Sequence, residues 1–232
     1  MHILLTRPLE DCSDMIFKFK TLGHQVSHLP LLYIEPIKYE KINFSDFKAI
    51  IFTSANAIKF LDAKKLDKNI LCFCVGNATE KKARSIGFQN VLAAEGNVVN
   101  LKELIFQNFN ISDGKIIYVS GEILSTDLDK ELILQGYKIK RVINYKTNHN
   151  TKFDEKFVKQ LKLDIPDLVY VYSQNSAMSF LNFIKNYQLE SLWMETNLLC
   201  IGEKSSSILN EIKWKKIFLF NPGEEEFLLY KI

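Results

Sequence analysis

Six short segments of this 232-residue chain place small hydroxyl, amide or glycine residues directly after apolar runs. They are Thr53-Ser54-Ala55-Asn56, Gly76-Asn77-Ala78-Thr79, Ser120-Gly121, Ser173-Gln174-Asn175, Gly202-Glu203-Lys204-Ser205 and Thr6-Arg7-Pro8, the last of which adds a cation. In open parallel sheets, ligands bind beyond the carboxyl ends of the strands, where helix N-termini present unpaired N–H groups. Each segment therefore has the makings of a carboxylate or phosphate station, with backbone donors and a hydroxyl. Taken singly, each reads first as an ordinary N-cap. Together they point to a cleft suited to a large anion bearing many acidic groups.

Other chemistries lack their residues. No G-x-G-x-x-G follows a strand and no G-x-x-x-x-G-K-[ST] is present, which argues against dinucleotide and P-loop nucleotide sites. Ser54 and Ser173 fall at strand-to-helix turns, but neither lies in G-x-S-x-G and no histidine is placed as a base. His2, His24, His28 and His149 are scattered and form no H-E-x-x-H. Cys12, Cys72, Cys74 and Cys200 form no C-x-x-C, and Cys72 and Cys74 share one face of an apolar segment. They read as buried free thiols of a cytosolic core, not as metal ligands or a redox pair. No metal and no cofactor is expected, and the protein would work by holding a substrate in shape.

Composition bounds the remaining classes. At 47% hydrophobic and 25% charged residues, the chain is neither disordered nor fibrous. No apolar run approaches the roughly 18 residues of a membrane span. The apolar stretch after Met1 is too short for a signal peptide, so the cytoplasm is the expected compartment and no membrane partner is expected. Thirty Lys+Arg against 27 Asp+Glu leave a net charge of +3. The basic residues come as scattered pairs such as Lys64-Lys65, Lys81-Lys82 and Lys215-Lys216, which argues against a nucleic-acid partner. Glu224-Glu225-Glu226 reads as the first turn of a last helix, where acid suits the helix dipole.

The elements that must carry these segments alternate. Strands are predicted at Ile3–Leu5, Gln25–His28, Ala49–Phe52, Leu71–Val75, Asn90–Leu92, Lys115–Val119, Lys138–Ile143, Leu168–Tyr172, Leu198–Ile201 and Ile217–Phe220. Several are continuous β-branched or aromatic runs, the mark of strands covered on both faces. Amphipathic helices are predicted near 9–22, 56–65, 77–86, 100–109, 125–135, 153–162, 175–187, 204–212 and 224–230. Gly23, Gly87 and Gly136 are placed to stop helices, and Asn100 with Glu103 has the spacing of a capping box. The alternation predicts a parallel α/β fold.

The chain also repeats. Ile3–Pro36 lies over Ile116–His149 at an offset of 113, Phe52–Asn56 over Val171–Asn175 at 119, and Cys74–Gly76 over Cys200–Gly202 at 126. A slowly growing offset is what loop insertions between two copies of one unit produce. Two similar parallel-sheet lobes with a cleft between them follow as the expectation.

In this order, Ile3-Leu4-Leu5-Thr6-Arg7-Pro8, Leu22-Gly23-His24, Leu29-Pro30-Leu31, Ile51-Phe52-Thr53-Ser54-Ala55-Asn56-Ala57, Val75-Gly76-Asn77-Ala78-Thr79, Val142-Ile143-Asn144-Tyr145-Lys146-Thr147, Tyr172-Ser173 and Cys200-Ile201-Gly202 span nearly the whole chain. The set resembles the uroporphyrinogen-III synthase family, cofactor-free enzymes that close a linear tetrapyrrole in haem biosynthesis. The resemblance implies a first lobe from residues 1–36 plus 150–232 and a second from 37–149. Two extended crossings would join them, near Tyr33–Ile37 and Tyr145–Asn150. It implies a monomer acting on hydroxymethylbilane, a polycarboxylate. The terminal hydroxyl leaves as water, the last pyrrole ring inverts through a spiro intermediate, and the macrocycle closes.

Because hydroxymethylbilane also closes unaided to the non-inverted isomer, the implied catalysis is mainly orientation. Carried onto this sequence, the resemblance makes Tyr145 the donor to the departing hydroxyl. With the strand-end stations, this makes Arg7, Thr53, Ser54, Asn56, Gly76, Asn77, Thr79, Ser120, Gly121, Ser173, Asn175, Gly202 and Ser205 the expected substrate-binding set. Thr79 is a second candidate for contact with a carboxylate or the leaving hydroxyl. The chain departs from the family where Glu203-Lys204 replace Pro and small hydroxyl residues, and at Gln174, where Pro is common. Two other readings stand beside this one. The first is a two-lobed binding protein for an anionic metabolite without turnover. The second is a flavodoxin-like carrier, which lacks its phosphate loop after Leu5.

Overall fold

The computed structural model describes residues 1–63, 66–221, 224, 227 and 229. Strands and helices alternate along it: β1 (His2–Leu5), α1 (Leu9–Thr21), β2 (Gln25–His28), β3 (Leu32–Pro36), β4 (Ala49–Phe52), α2 (Ala55–Lys59), β5 (Leu71–Val75), α3 (Gly76–Ser85), β6 (Val91–Ala94) and α4 (Val98–Asn108). Then come β7 (Lys115–Gly121), α5 (Leu128–Leu134), β8 (Lys138–His149), α6 (Glu155–Leu163), β9 (Leu168–Val171), α7 (Gln174–Asn186), β10 (Asn197–Ile201), α8 (Glu203–Leu209) and β11 (Lys216–Phe220). The chain divides into two compact units, Met1–Tyr33 with Asn148–Ile232, and Ile34–Thr147. It passes between them at Tyr33–Ile34 within β3 and at Thr147–Asn148 within β8.

The first unit is built on a five-stranded sheet in the order β11-β10-β9-β1-β2, with parallel pairing throughout. One face buries Leu4, Val169, Val171, Leu198 and Cys200 against α6, α7 and α8. The other buries Ile3, Leu5, Leu168, Tyr170 and Leu199 with Cys12 and Phe19 of α1. Alternate residues feed opposite cores, so the strands read as continuous apolar runs. Each fully buried Leu or Ile contributes about 1.5–3 kcal/mol.

The second unit carries a six-stranded sheet in the order β3-β8-β7-β4-β5-β6, parallel from β8 to β6. Ile50, Phe52, Cys72, Cys74, Val119 and Val142 face Ala57 and Ile58 of α2 and Ala83 of α3. Ala49, Ile51, Phe73, Ile116 and Tyr118 face Leu101 and Ile105 of α4 and Leu128 and Leu132 of α5. With the repeat as the key, β8-β7-β4-β5-β6 corresponds strand for strand to β2-β1-β9-β10-β11. The order is the same in both sheets, although the chain enters them at different points.

Several predicted boundaries move. The capping box of α4 is formed by Asn97 and Asn100, not by Asn100 and Glu103: Asn97 Oδ1 accepts from the N–H groups of Val99 at 2.7 Å and Asn100 at 3.4 Å. Asn100 lies three residues inside the cap and reaches back to the Asn97 N–H. Helix α2 stops at Lys59, short of the expected helix end near 65, and residues 64 and 65 lie outside the described set. The extended crossings are regular strand, β3 and the continuation of β8 to His149. Most of the expected last helix over 224–230, with two residues of the acidic run, lies outside the described residues.

Gly23, Gly87 and Gly136 follow α1, α3 and α5 at φ of +82°, +101° and +94°, as helix-stopping residues should. All four cysteines are buried free thiols. Among the described residues, no helix is long and apolar enough to cross a membrane.

Candidate functional site

Both sheets have a topological switch point. The chain leaves β1 toward β2 on one side while β9 flanks the other, and β7 stands likewise between β8 and β4. The crevice beyond such a point is where open α/β sheets bind ligands. The predicted stations lie at these ends and one strand further, after β5 and β10.

In the first unit, Thr6 is fully buried and its hydroxyl donates to the Tyr170 carbonyl at 2.6 Å, so it ties β1 to β9. The Arg7 guanidinium lies 4.8 Å from the centre of the Tyr172 ring and 3.8 Å from the Asp11 carboxylate. The Arg7 carbonyl is 2.7 Å from His28 Nε2. Ser173 caps α7 by accepting from the Ser176 N–H at 3.1 Å, and Asn175 is exposed on the first turn. Gly202 caps α8, while Ser205 is turned inward and is buried.

In the second unit, Ser54 caps α2 by accepting from the Asn56 N–H at 3.2 Å. Gly76 opens α3 at φ +75°, and Asn77 is exposed. A Cβ at Gly76 or at Gly202 would meet nothing within 4 Å, so ligand atoms can approach both backbones closely. Thr79 is buried beside Ala83 on the inner face of α3.

Tyr145 sits in the carboxyl half of β8, packed against the α2–α3 side of the sheet. Its ring covers Gly121 so closely that a Cβ there would stand 2.7 Å from Cζ, 2.9 Å from Cε2 and 3.0 Å from Oη. The Glu122 N–H donates to the Tyr145 carbonyl at 2.9 Å. One side of the second sheet thus gathers Ser54, Asn56, Gly121, Tyr145 and the helix bearing Gly76, Asn77 and Thr79. Thr53 points to the other side, where its hydroxyl is 3.0 Å from the phenol of buried Tyr118. Burial pushes the Tyr118 pKa up, against an opposing hydrogen bond from Thr53.

Two participants were missed by the sequence reading. Tyr118 looks like any apolar strand residue. Arg141 looks like one charge in an alternating strand, yet its Nε donates to Ser120 Oγ at 2.9 Å. Its Nη2 donates to the carbonyls of Gly121 at 2.7 Å and Glu122 at 2.9 Å. It fixes the turn after β7, and Ser120, nearly fully buried, is thereby engaged inside the protein. Helix starts with open backbone donors suit several carboxylates, and a half-buried phenol suits donation to an oxygen.

A family model described as uroporphyrinogen-III synthase HemD matches residues 13–219. A porphyrin biosynthesis protein HemD from Ruminiclostridium josui is 25% identical over 223 residues, covering 88% of this chain and 42% of that protein. This chain therefore spans well under half the length of that relative. Among solved structures, a uroporphyrinogen-III synthetase from Helicobacter pylori 26695 matches with a TM-score of 0.67 and 18% identity, covering 100% of this chain and 99% of the other. A mutant uroporphyrinogen III synthase from the extremely thermophilic bacterium Thermus thermophilus matches at 0.55 with 12% identity, covering 100% and 97%. At such identities the structural likeness speaks for the fold alone. The family match covers most of the chain, and with it the ordered motifs and the two repeated sheets reach one conclusion: this chain belongs to the uroporphyrinogen-III synthase family.

Proposed function

We propose that this protein closes hydroxymethylbilane to uroporphyrinogen III, releasing one water and inverting the last pyrrole ring. The observation that carries the reading, beside family membership, is the gathering of Tyr145, Gly121, Ser54, Asn56 and α3 on one side of the second sheet. In this reading the backbone donors at Gly76 and Asn77 take acidic side chains of the substrate, with Ser54 and Asn56 beside them. Arg7, Ser173, Asn175 and Gly202 offer the same kind of contact on the first unit. Tyr145 donates a hydrogen bond to the departing hydroxyl, which leaves the terminal carbon as water once protonated. Ser120, Thr53 and Ser205 act from behind: Ser120 is held by Arg141, Thr53 faces Tyr118, and Ser205 is buried.

Bound substrate held in one conformation closes to the inverted product before the unaided route gives the other isomer, a contribution of orientation. We place the protein in the cytoplasm, a reading supported by four cysteines kept as buried thiols, and assign it the monomeric state that the family resemblance implies. The test is to mix the protein with hydroxymethylbilane and resolve the two cyclic isomers. Enrichment of the inverted isomer supports the reading. Binding without any change in isomer ratio would leave a binding protein instead.

A further inference from the structure

Strand β8 contains one residue too many. Its register with β7 runs Val119 to Val142 and Ser120 to Ile143, and then Gly121 pairs with Tyr145. Asn144 is the unpaired extra residue of a β-bulge. Side chains alternate along a strand, so a one-residue insertion changes which face every later side chain meets. In an unbroken strand, Tyr145 would share the side of Ile143 and lie away from Val142. With the bulge, Tyr145 joins Val142 on the α2–α3 side of the sheet, over Gly121.

Asn144 is also anchored. It is fully buried, and its Nδ2 donates to the Ala57 carbonyl of α2 at 2.7 Å. Its own carbonyl accepts from the Ile37 N–H at 2.8 Å. Its Oδ1 is buried without a hydrogen-bond partner among the described residues. A buried amide with one end unsatisfied costs stability, and such groups call for an explanation. Here the satisfied end ties the bulge to the helix that Ser54 caps.

We propose that Asn144 is a positioning residue: the bulge it forms, pinned to α2 and seated against Gly121, aims the Tyr145 phenol at the reacting oxygen. The proposal rests on the reading of Tyr145 as the donor to the leaving hydroxyl. Gly121 belongs to the same device, because only a residue without Cβ lets the ring settle there. Arg141 holds the far side by gripping the Gly121 and Glu122 carbonyls.

The test combines a readout of the ring with a readout of the reaction. 3-Fluorotyrosine placed at position 145 reports the ring's surroundings by ¹⁹F NMR in the resting protein. Asn144→Asp keeps the shape of the side chain but loses the N–H donor to Ala57, and it should shift that resonance. In the unlabelled protein, kcat should fall about ten-fold or more with a much smaller change in KM, since misplacement by about 1 Å far from a contact can cost 10²-fold. The non-inverted isomer should rise, and the double variant with Tyr145→Phe should be no worse than Tyr145→Phe alone. Gly121→Ala should give the same signature, and it carries the test if Asn144→Asp does not fold.

An unmoved resonance would overturn the proposal. So would a loss that adds in full to that of Tyr145→Phe. A lowered melting temperature with unchanged kcat and isomer ratio would also overturn it and leave Asn144 a structural residue. A wild-type protein that makes no inverted isomer would remove the functional reading, while the resonance would still decide whether the bulge holds the ring.

Discussion

Gly76 and Gly202 share a positive φ, +75° and +74°, at the start of corresponding helices in the two units. They are also paired by the sequence repeat, 126 residues apart. Neither conformation is imposed by crowding, since a Cβ at either position would meet open space. Alanine there should cost about 1–3 kcal/mol of stability each, the strain of a non-glycine residue held at positive φ. If the backbone takes a substrate carboxylate, Gly76→Ala should also raise KM several-fold through the added methyl. Chemical denaturation and steady-state kinetics on each variant separate the two effects, and an unchanged KM would confine the glycine to its turn.

Tyr145→Phe keeps the ring over Gly121 and removes only the hydroxyl. Among the described residues, none hydrogen-bonds that hydroxyl, so the melting temperature should hold. Closure should slow, by up to the ~10²–10⁴-fold typical of a positioned acid. The non-inverted isomer should increase as spontaneous cyclisation competes. Wild-type rate and isomer purity in this variant would end the donor role.

Thr79 is best tested by an isosteric change, because it packs with Ala83 inside α3. Thr79→Val preserves the volume and deletes the hydroxyl, so stability should stay within about 1 kcal/mol. A fall in turnover would place that hydroxyl on the substrate. Full activity would make Thr79 a packing residue.

Stability should decline on the alkaline side. Burial raises Cys200 from 9.0 to about 12 and Cys12 from 9.0 to about 11. Between these limits the unfolded chain releases protons that the folded protein retains. Stability is therefore intact below about pH 9 and falls as pH rises, by up to about 1.4 kcal/mol per unit for each thiol. Urea midpoints measured from pH 8 to 11 should trace this slope, and Cys200→Ala should flatten it. Identical slopes for both proteins would contradict the assignment.

The strands were legible because parallel sheets covered on both faces need unbroken apolar runs, as in Ala49–Phe52 and Leu168–Val171. The same-order motifs were legible because strand ends and helix starts share a local grammar. What escaped depends on contacts between distant residues. The β8 strand was expected to end at Ile143; in fact it absorbs Asn144 as a bulge and continues to His149, held by contacts with distant elements. The α4 cap was misplaced because Asn97, Asn100 and Glu103 repeat the same spacing, and only the observed bonds choose Asn97. Tyr118 and Arg141 carried no signal, as their partners Thr53, Ser120 and Gly121 lie far off in sequence.

The different points at which the chain enters two sheets of the same order have a consequence for biosynthesis. The second unit, Ile34–Thr147, is one continuous stretch, so its strands can pair as soon as it leaves the ribosome. In the first unit, β1 pairs with β9, joining Ile3 to Leu168 across the whole of the intervening unit. Until Val171 has been synthesised, β1 and β2 have no central partner and their apolar faces wait. Closing so long a connection slows folding, because its entropy must be met before the contacts reward it. In a pulse-labelling hydrogen-exchange experiment, amides of β4, β5 and β7 should gain protection first, and those of β1, β9 and β10 together afterwards.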